Sequence, residues 1–246
     1  MEYLPNGLTL HIPEGSFPLS TDSMALAEFV KLPKNARVLD LGSGCGTLGL
    51  LLCSKDGSCH VIGIEISASA HHAALDNIQN NRLAHRLESI NADARALRRS
   101  ISPGSFSVCV ANPPYFSGGP ASSSLKDARR EDTFSPEDLM QGAAWALKTG
   151  GDLFLVHRPE KLAQLIALGA REGLETKKLR LVRHRENGPV TLILLQLRKG
   201  ARPGLVIEEA ALHLADGQES VYHHKIYHQE EARHGRNVIS CTDPDR

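Results

Sequence analysis

No run of about 18 apolar residues occurs in the chain, so nothing in it reads as a membrane-spanning helix. Its first residues lack the basic-then-apolar pattern of a secretory leader, and a cytoplasmic setting is expected. Cysteine is sparse and odd in number. Cys45, Cys53, Cys59, Cys109 and Cys241 are scattered and partly inside expected elements, which excludes a disulfide framework and fits reduced thiols. Nor do they imply a metal: Cys53, Cys59 and His60 lack a zinc spacing, and His224 with His228 is a helical pair without a third ligand. Charge excess is also absent, since 28 Lys and Arg oppose 28 Asp and Glu. A strongly basic body is thereby excluded, and local clusters become the relevant quantity. Internal repeats and low-complexity tracts are missing, which removes repeat arrays.

What is present is regular alternation. Strands are expected near 37–41, 60–64, 87–90, 107–111, 151–157, 176–183 and 190–198. Helices fill about 22–31, 47–54, 68–81, 136–148 and 159–172. Such alternation implies an α/β protein with a mostly parallel sheet and helices on both faces. Only 185–189 joins the last two strands, too short for a crossover helix, so they should form an antiparallel hairpin at the sheet edge. The 246 residues suffice for one α/β unit with a sizeable core. Residues 1–229 are expected to form that single domain, with 1–36 as an N-terminal extension and 117–135 as a lid loop. The polar tail 230–246 is expected to be disordered.

The most informative stretch is Val110-Ala111-Asn112-Pro113-Pro114-Tyr115-Phe116, a polar turn closing an apolar strand. The Asn112 side-chain carbonyl and the Pro113 backbone carbonyl can both accept from one planar NH2 group. The prolines fix φ and remove backbone donors, so those carbonyls are held in place. Tyr115 offers a face for stacking on a base or an amide, with Phe116 beside it. Upstream, Val38 to Leu41 reads as a buried strand leading into Gly42-Ser43-Gly44-Cys45-Gly46 and a helix from Thr47. The glycine spacing departs from the dinucleotide-binding fingerprint, and Asp40 precedes the turn. A carboxylate there repels a pyrophosphate but suits the ammonium and sulfonium of S-adenosylmethionine (SAM). Glu65 closes the next strand, about twenty residues past the turn, and is placed to bind ribose hydroxyls. Asp93, after the third strand, is a candidate acceptor for the adenine amine, although taken singly it reads as a helix N-cap. Asp40, Glu65, Asp93 and Asn112 all fall at carboxyl ends of expected strands, the rim where open α/β sheets bind ligands.

These motifs resemble the class I SAM-dependent methyltransferases of the Asn-Pro-Pro-Tyr branch. More narrowly, the chain resembles the bacterial tRNA1(Val) adenine N6-methyltransferase family from about Leu8 to Tyr227. The flanking features that carry the narrower likeness are Phe17 to Asp22, Ala128 to Glu131, and Tyr222 with Ile226 and Tyr227. Ser20, Arg130 and Pro13 depart from residues common there. The resemblance implies a Rossmann-like, seven-stranded methyltransferase fold and a methyl transfer from SAM to the N6 amine of an RNA adenine, most naturally in tRNA. S-adenosylhomocysteine is the implied product, with no metal. Asp22, Asp40, Gly42, Gly44, Gly46, Glu65, Asp93 and Asn112 are the implied cofactor contacts. Asn112, Pro113 and Tyr115 are the implied catalytic set. Tyr115, Phe116, Lys126, Arg129 and Arg130 are the implied substrate contacts.

Further basic residues cluster at Arg95, Arg98 and Arg99, and along the expected edge strand at Lys177, Lys178, Arg180, Arg183 and Arg185. Each cluster reads either as an RNA contact or as a solvated face, the edge strand also as protection against aggregation. Two other functions stay open on sequence. One is glutamine N5-methylation of a protein, although only 36 residues precede the first strand, against a helical N-terminal domain in enzymes of that type. The other is a non-catalytic RNA-binding module that retains the fold. Oligomeric state has no signature.

Overall fold

The computed structural model describes residues 2–4, 7–13, 19–113 and 134–227. Its elements are β1 (Glu2–Tyr3), β2 (Thr9–Leu10), α1 (Thr21–Phe29), β3 (Arg37–Leu41), α2 (Thr47–Lys55), β4 (His60–Glu65), α3 (Ala68–Asn80) and β5 (Leu87–Asn91). There follow β6 (Phe106–Ala111), α4 (Pro136–Ala146), β7 (Leu147–His157), α5 (Leu162–Arg171), β8 (Leu174–Arg185), β9 (Val190–Lys199), β10 (Val206–His213) and α6 (Val221–Tyr227). Short 3-10 helices cover Ala94–Arg99 and Pro159–Lys161. No helix of the described residues is long and apolar enough to cross a membrane.

β3 to β10 form one eight-stranded sheet in the order β10-β8-β9-β7-β6-β3-β4-β5. Only β9 runs against its neighbours; the other pairings are parallel. The expected hairpin is β8–β9, and the sheet holds one strand more than the seven expected. That strand, β10, pairs in parallel with β8 and takes the edge for itself. The basic strand β8 is therefore internal, which corrects its reading as an edge guarded by lysines. Its charges meet acids instead: Lys178 and Arg180 bind Glu208 at 2.6 and 2.8 Å, and Arg183 lies 3.7 Å from Glu209.

Alternation along each strand divides the core. Val38, Val108, Val110, Phe154, Val156, Leu192 and Leu194 face α1, α2 and α6. Their neighbours Leu39, Cys109, Leu153, Leu155, Ile193 and Leu195 face α4 and α5. Both faces of the central strands β3, β4, β6 and β9 and the second half of β7 are largely buried, so these read as apolar runs. The parallel set points its carboxyl ends to one side, and the loops after β3, β4, β5 and β6 meet there.

Asn77 of α3 and Asn81, which caps that helix, hold the N-terminal segment. Thr9 N–H donates to Asn81 Oδ1 and His11 N–H to Asn77 Oδ1, at 2.9 and 2.8 Å. The two amides donate back to the carbonyls of the same residues, at 2.7 Å to Thr9 and 2.9 Å to His11. Asn77 also donates to the Cys45 carbonyl at 3.0 Å, which ties the glycine turn to the same helix face.

Candidate functional site

The rim begins with the turn between β3 and α2. Gly42, Gly44 and Gly46 have φ of 76°, 55° and 85°, a region that side chains with a Cβ seldom enter. The Gly42 and Ser43 N–H groups both donate to the Ile64 carbonyl at 3.0 Å, which seats the turn on the end of β4. Glu65 completes the attachment. Its carboxylate accepts from Gly44 N–H at 2.8 Å and from Ser67 N–H at 2.7 Å, so one side chain bridges two loops. Gly63 makes room for this arrangement: a Cβ at that position would lie 2.5 Å from Ser43 Oγ.

Asp40 sits beneath the turn, 1% exposed, and among the described residues neither of its carboxylate oxygens has a hydrogen-bond partner. Burial, and secondarily the charge of Glu65, push its carboxyl up to about 8. A buried carboxylate without a donor is costly unless a cation or donor from outside completes it. Its position therefore fits an ammonium group.

Beyond β4 the chain exposes Ile66, an apolar side chain standing 53% in solvent beside the carboxylate of Glu65. Asn91 fixes the backbone there by donating to the Glu65 carbonyl at 2.8 Å and the Ile66 carbonyl at 3.2 Å. Neither residue was singled out from the sequence, where an apolar residue directly after the acidic strand tip was the available signal. Asp93 behaves as a cap. It accepts from Arg95 N–H at 2.9 Å and pairs with the Arg95 guanidinium at 2.7 Å, which holds its carboxyl below the ordinary carboxylate range.

Asn112 follows β6 at the same rim, half-buried. Its amide donates to Ser23 Oγ in the first turn of α1 at 2.9 Å, next to Asp22. Among the described residues nothing donates to its Oδ1 or to the Pro113 carbonyl. Pro113 is buried and also borders an apolar cleft with Phe134, Leu139, His157 and Leu165. The first turn of α1 is anchored on its other side by Thr21 Oγ1, 2.6 Å from the Tyr227 hydroxyl. Asp22, Asp40, the glycine turn, Glu65, Asp93 and Asn112 thus lie at the carboxyl-end rim, Asp93 with its carboxylate already engaged. Tyr115, Phe116, Lys126, Arg129 and Arg130 lie outside the described residues, as do Cys241 and His228.

The site so built can hold a cation at Asp40, hydroxyls near Glu65, a flat apolar ring against Ile66, and an NH2 group at Asn112 and Pro113. The model of the methyltransferase small domain matches residues 19–172. A tRNA1(Val) (adenine(37)-N6)-methyltransferase of Photobacterium profundum is 28% identical over 216 residues, 85% of this chain and 90% of that protein. One of the same description from Dickeya chrysanthemi is 31% identical over 185 residues, covering 74% and 73%. Among solved structures, a predicted O-methyltransferase from Agrobacterium tumefaciens has a TM-score of 0.71 at 21% identity, over 84% of this chain and 95% of that one, a likeness of fold. TrmN from Thermus thermophilus has a TM-score of 0.53 at 25% identity, over 72% and 48%.

Proposed function

The chain belongs to the methyltransferase small-domain family, and from that membership we propose that it transfers a methyl group from SAM to the N6 amine of an adenine in RNA, with tRNA as the substrate. Residues 1–229 are taken as one catalytic unit. The observation that carries the proposal is the buried Asp40 carboxylate, without a hydrogen-bond partner among the described residues, on the same strand-end rim as Asn112, whose amide donates to Ser23.

Bound SAM supplies an activated methyl whose leaving group is a neutral thioether. Asp40 provides the buried negative charge for its ammonium. The Glu65 carboxylate already accepts from two backbone N–H groups, and its remaining lone pairs serve the ribose hydroxyls. Ile66 offers its exposed side chain to the adenine ring of the cofactor. Asn112 Oδ1 and the Pro113 carbonyl each take one N–H of the substrate amine. An aromatic amine is a poor nucleophile because its lone pair is delocalised into the ring. Two acceptors on its N–H bonds favour a pyramidal nitrogen and stabilise the positive charge that grows on it. Orientation of the amine supplies much of the remaining rate. The target base must be unstacked, which a tRNA loop allows at least cost. The relatives described as tRNA adenine N6-methyltransferases support the RNA and the position of transfer.

The test is incubation with methyl-labelled SAM and, separately, total tRNA, rRNA, DNA and protein, followed by nucleoside and amino-acid analysis. N6-methyladenosine from the tRNA sample is expected. Label confined to protein glutamine would replace the substrate while leaving the acceptor chemistry in place.

A further inference from the structure

The side chain of an asparagine has two ends of nearly equal size and opposite chemistry. Only one orientation of Asn112 serves the proposed reaction. With Oδ1 towards the substrate it accepts an N–H; turned over, it sets NH2 against NH2. The Pro113 carbonyl is fixed by the chain, but the Asn112 amide must be held by a neighbour. Among the described residues that neighbour is Ser23, whose Oγ receives the Asn112 NH2 at 2.9 Å. Ser23 itself is 7% exposed, so solvent competes poorly for this contact.

We propose that Ser23 is a positioning residue that sets the amide orientation of Asn112 and so keeps the acceptor turned to the substrate. The inference rests on the acceptor role of Asn112 stated above. A serine hydroxyl can donate as well as accept, and donation to Oδ1 would favour the wrong orientation. Ser20 Oγ, 3.5 Å from Ser23 Oγ, can accept the Ser23 proton, and that arrangement leaves the Ser23 lone pairs to Asn112. Ser20 is also the N-cap of α1 and accepts from Ser23 N–H at 3.3 Å, so both serines are set by the start of one helix. The bond from Thr21 to Tyr227 fastens that start to α6. Asn112 and Ser23 are 89 residues apart in sequence, and no local pattern links them.

The decisive measurement pairs turnover with proton exchange of the Asn112 side-chain NH2, observed by NMR in 15N-labelled protein and assigned by its loss in Asn112→Ala. In the wild type that NH2 should exchange at least about tenfold more slowly than a solvent-exposed asparagine amide. Ser23→Ala should abolish the protection and lower kcat by about tenfold or more, with SAM affinity and the thermal midpoint near wild type. Combined with Asn112→Ala, it should add no further loss, because the two residues act through one contact. Wild-type kcat in Ser23→Ala, or unchanged protection of the Asn112 amide, overturns the proposal. A fall in kcat that tracks a fall in thermal midpoint, with the amide still protected, overturns it too and leaves Ser23 a packing residue. The exchange measurement needs no substrate, so it judges the Ser23–Asn112 bond even if the wild type methylates no RNA.

Discussion

Asp40 carries a proton where most aspartates do not. Its folded value, about 8, lies above the ordinary 3.8, so the folded chain holds this proton more tightly than the unfolded chain does. The share of stability it confers is complete below pH 3.8 and is lost as pH climbs towards 8. A bound ammonium reverses the balance by favouring the carboxylate. SAM binding is therefore expected to release close to one proton per site near neutral pH. Its affinity should rise between about pH 6 and 7.5, where an α-ammonium is still charged. Calorimetry in two buffers of different ionisation enthalpy measures the proton directly; equal heats in both would remove Asp40 from the cation site. Gly63 makes the second test at this scale. Gly63→Ala sets a methyl against Ser43 and should lower stability by about 1–3 kcal/mol and weaken SAM binding by displacing the glycine turn. Adding Ser43→Gly removes the obstacle and should recover most of the stability in a thermal melt.

At the scale of elements, Arg180 of β8 joins four pieces of the fold. It pairs with Glu28 of α1 and Glu208 of β10, and its guanidinium lies over the rings of Phe29 and of Tyr222 in α6. Lys225 of α6 also pairs with Glu28. Arg180→Met is expected to cost about 2–3 kcal/mol in urea unfolding, since it leaves two partly buried carboxylates with lysines alone. A loss below about 0.5 kcal/mol would place the pair among weak surface bridges. The same contacts explain what the sequence concealed. β3, β4, β6 and β7 were legible because buried parallel strands are apolar runs, and Asp40, Glu65 and Asn112 fall at or near their ends. β10 was not expected: Val206–His213 carries Glu208 and Glu209 at its centre, and these find their partners only in Lys178, Arg180 and Arg183 of β8. The helix expected over 136–148 ends at Ala146, where Leu147 turns into β7 with ψ of 135°. Ser23 was invisible for a related reason, its partner being distant in sequence.

For the molecule as a whole, zero net charge has a local origin. Lys178, Arg180 and Arg183 of β8 and Arg198 of β9 are each opposed by an acid within the sheet region, so these four present little unpaired charge to a polyanion, whereas Lys177 of β8 meets only the Arg202 carbonyl. Arg129 and Arg130 are the RNA contacts that the family resemblance implies. Changing both to Ala should weaken tRNA binding and reduce its salt slope by about two, one per phosphate contact. Lys178→Ala with Arg183→Ala should leave the slope near wild type. Filter binding at several salt concentrations separates the cases, and equal slopes for all proteins would move the phosphate contacts elsewhere.

The clasp made by Asn77 and Asn81 bears on the order in which the chain is assembled. Thr9 and His11 leave the ribosome 72 and 66 residues before the side chains that bind them. At about 5–20 residues per second this is a wait of roughly 3–14 s. During it the segment has no surface to settle on, because α3 has not been made. The Asn77 amide that receives it also holds the Cys45 carbonyl, so the segment and the glycine turn share one anchor on α3. Thr9 and His11 thus find their partners only in a helix that follows them in the chain, and their docking waits on it.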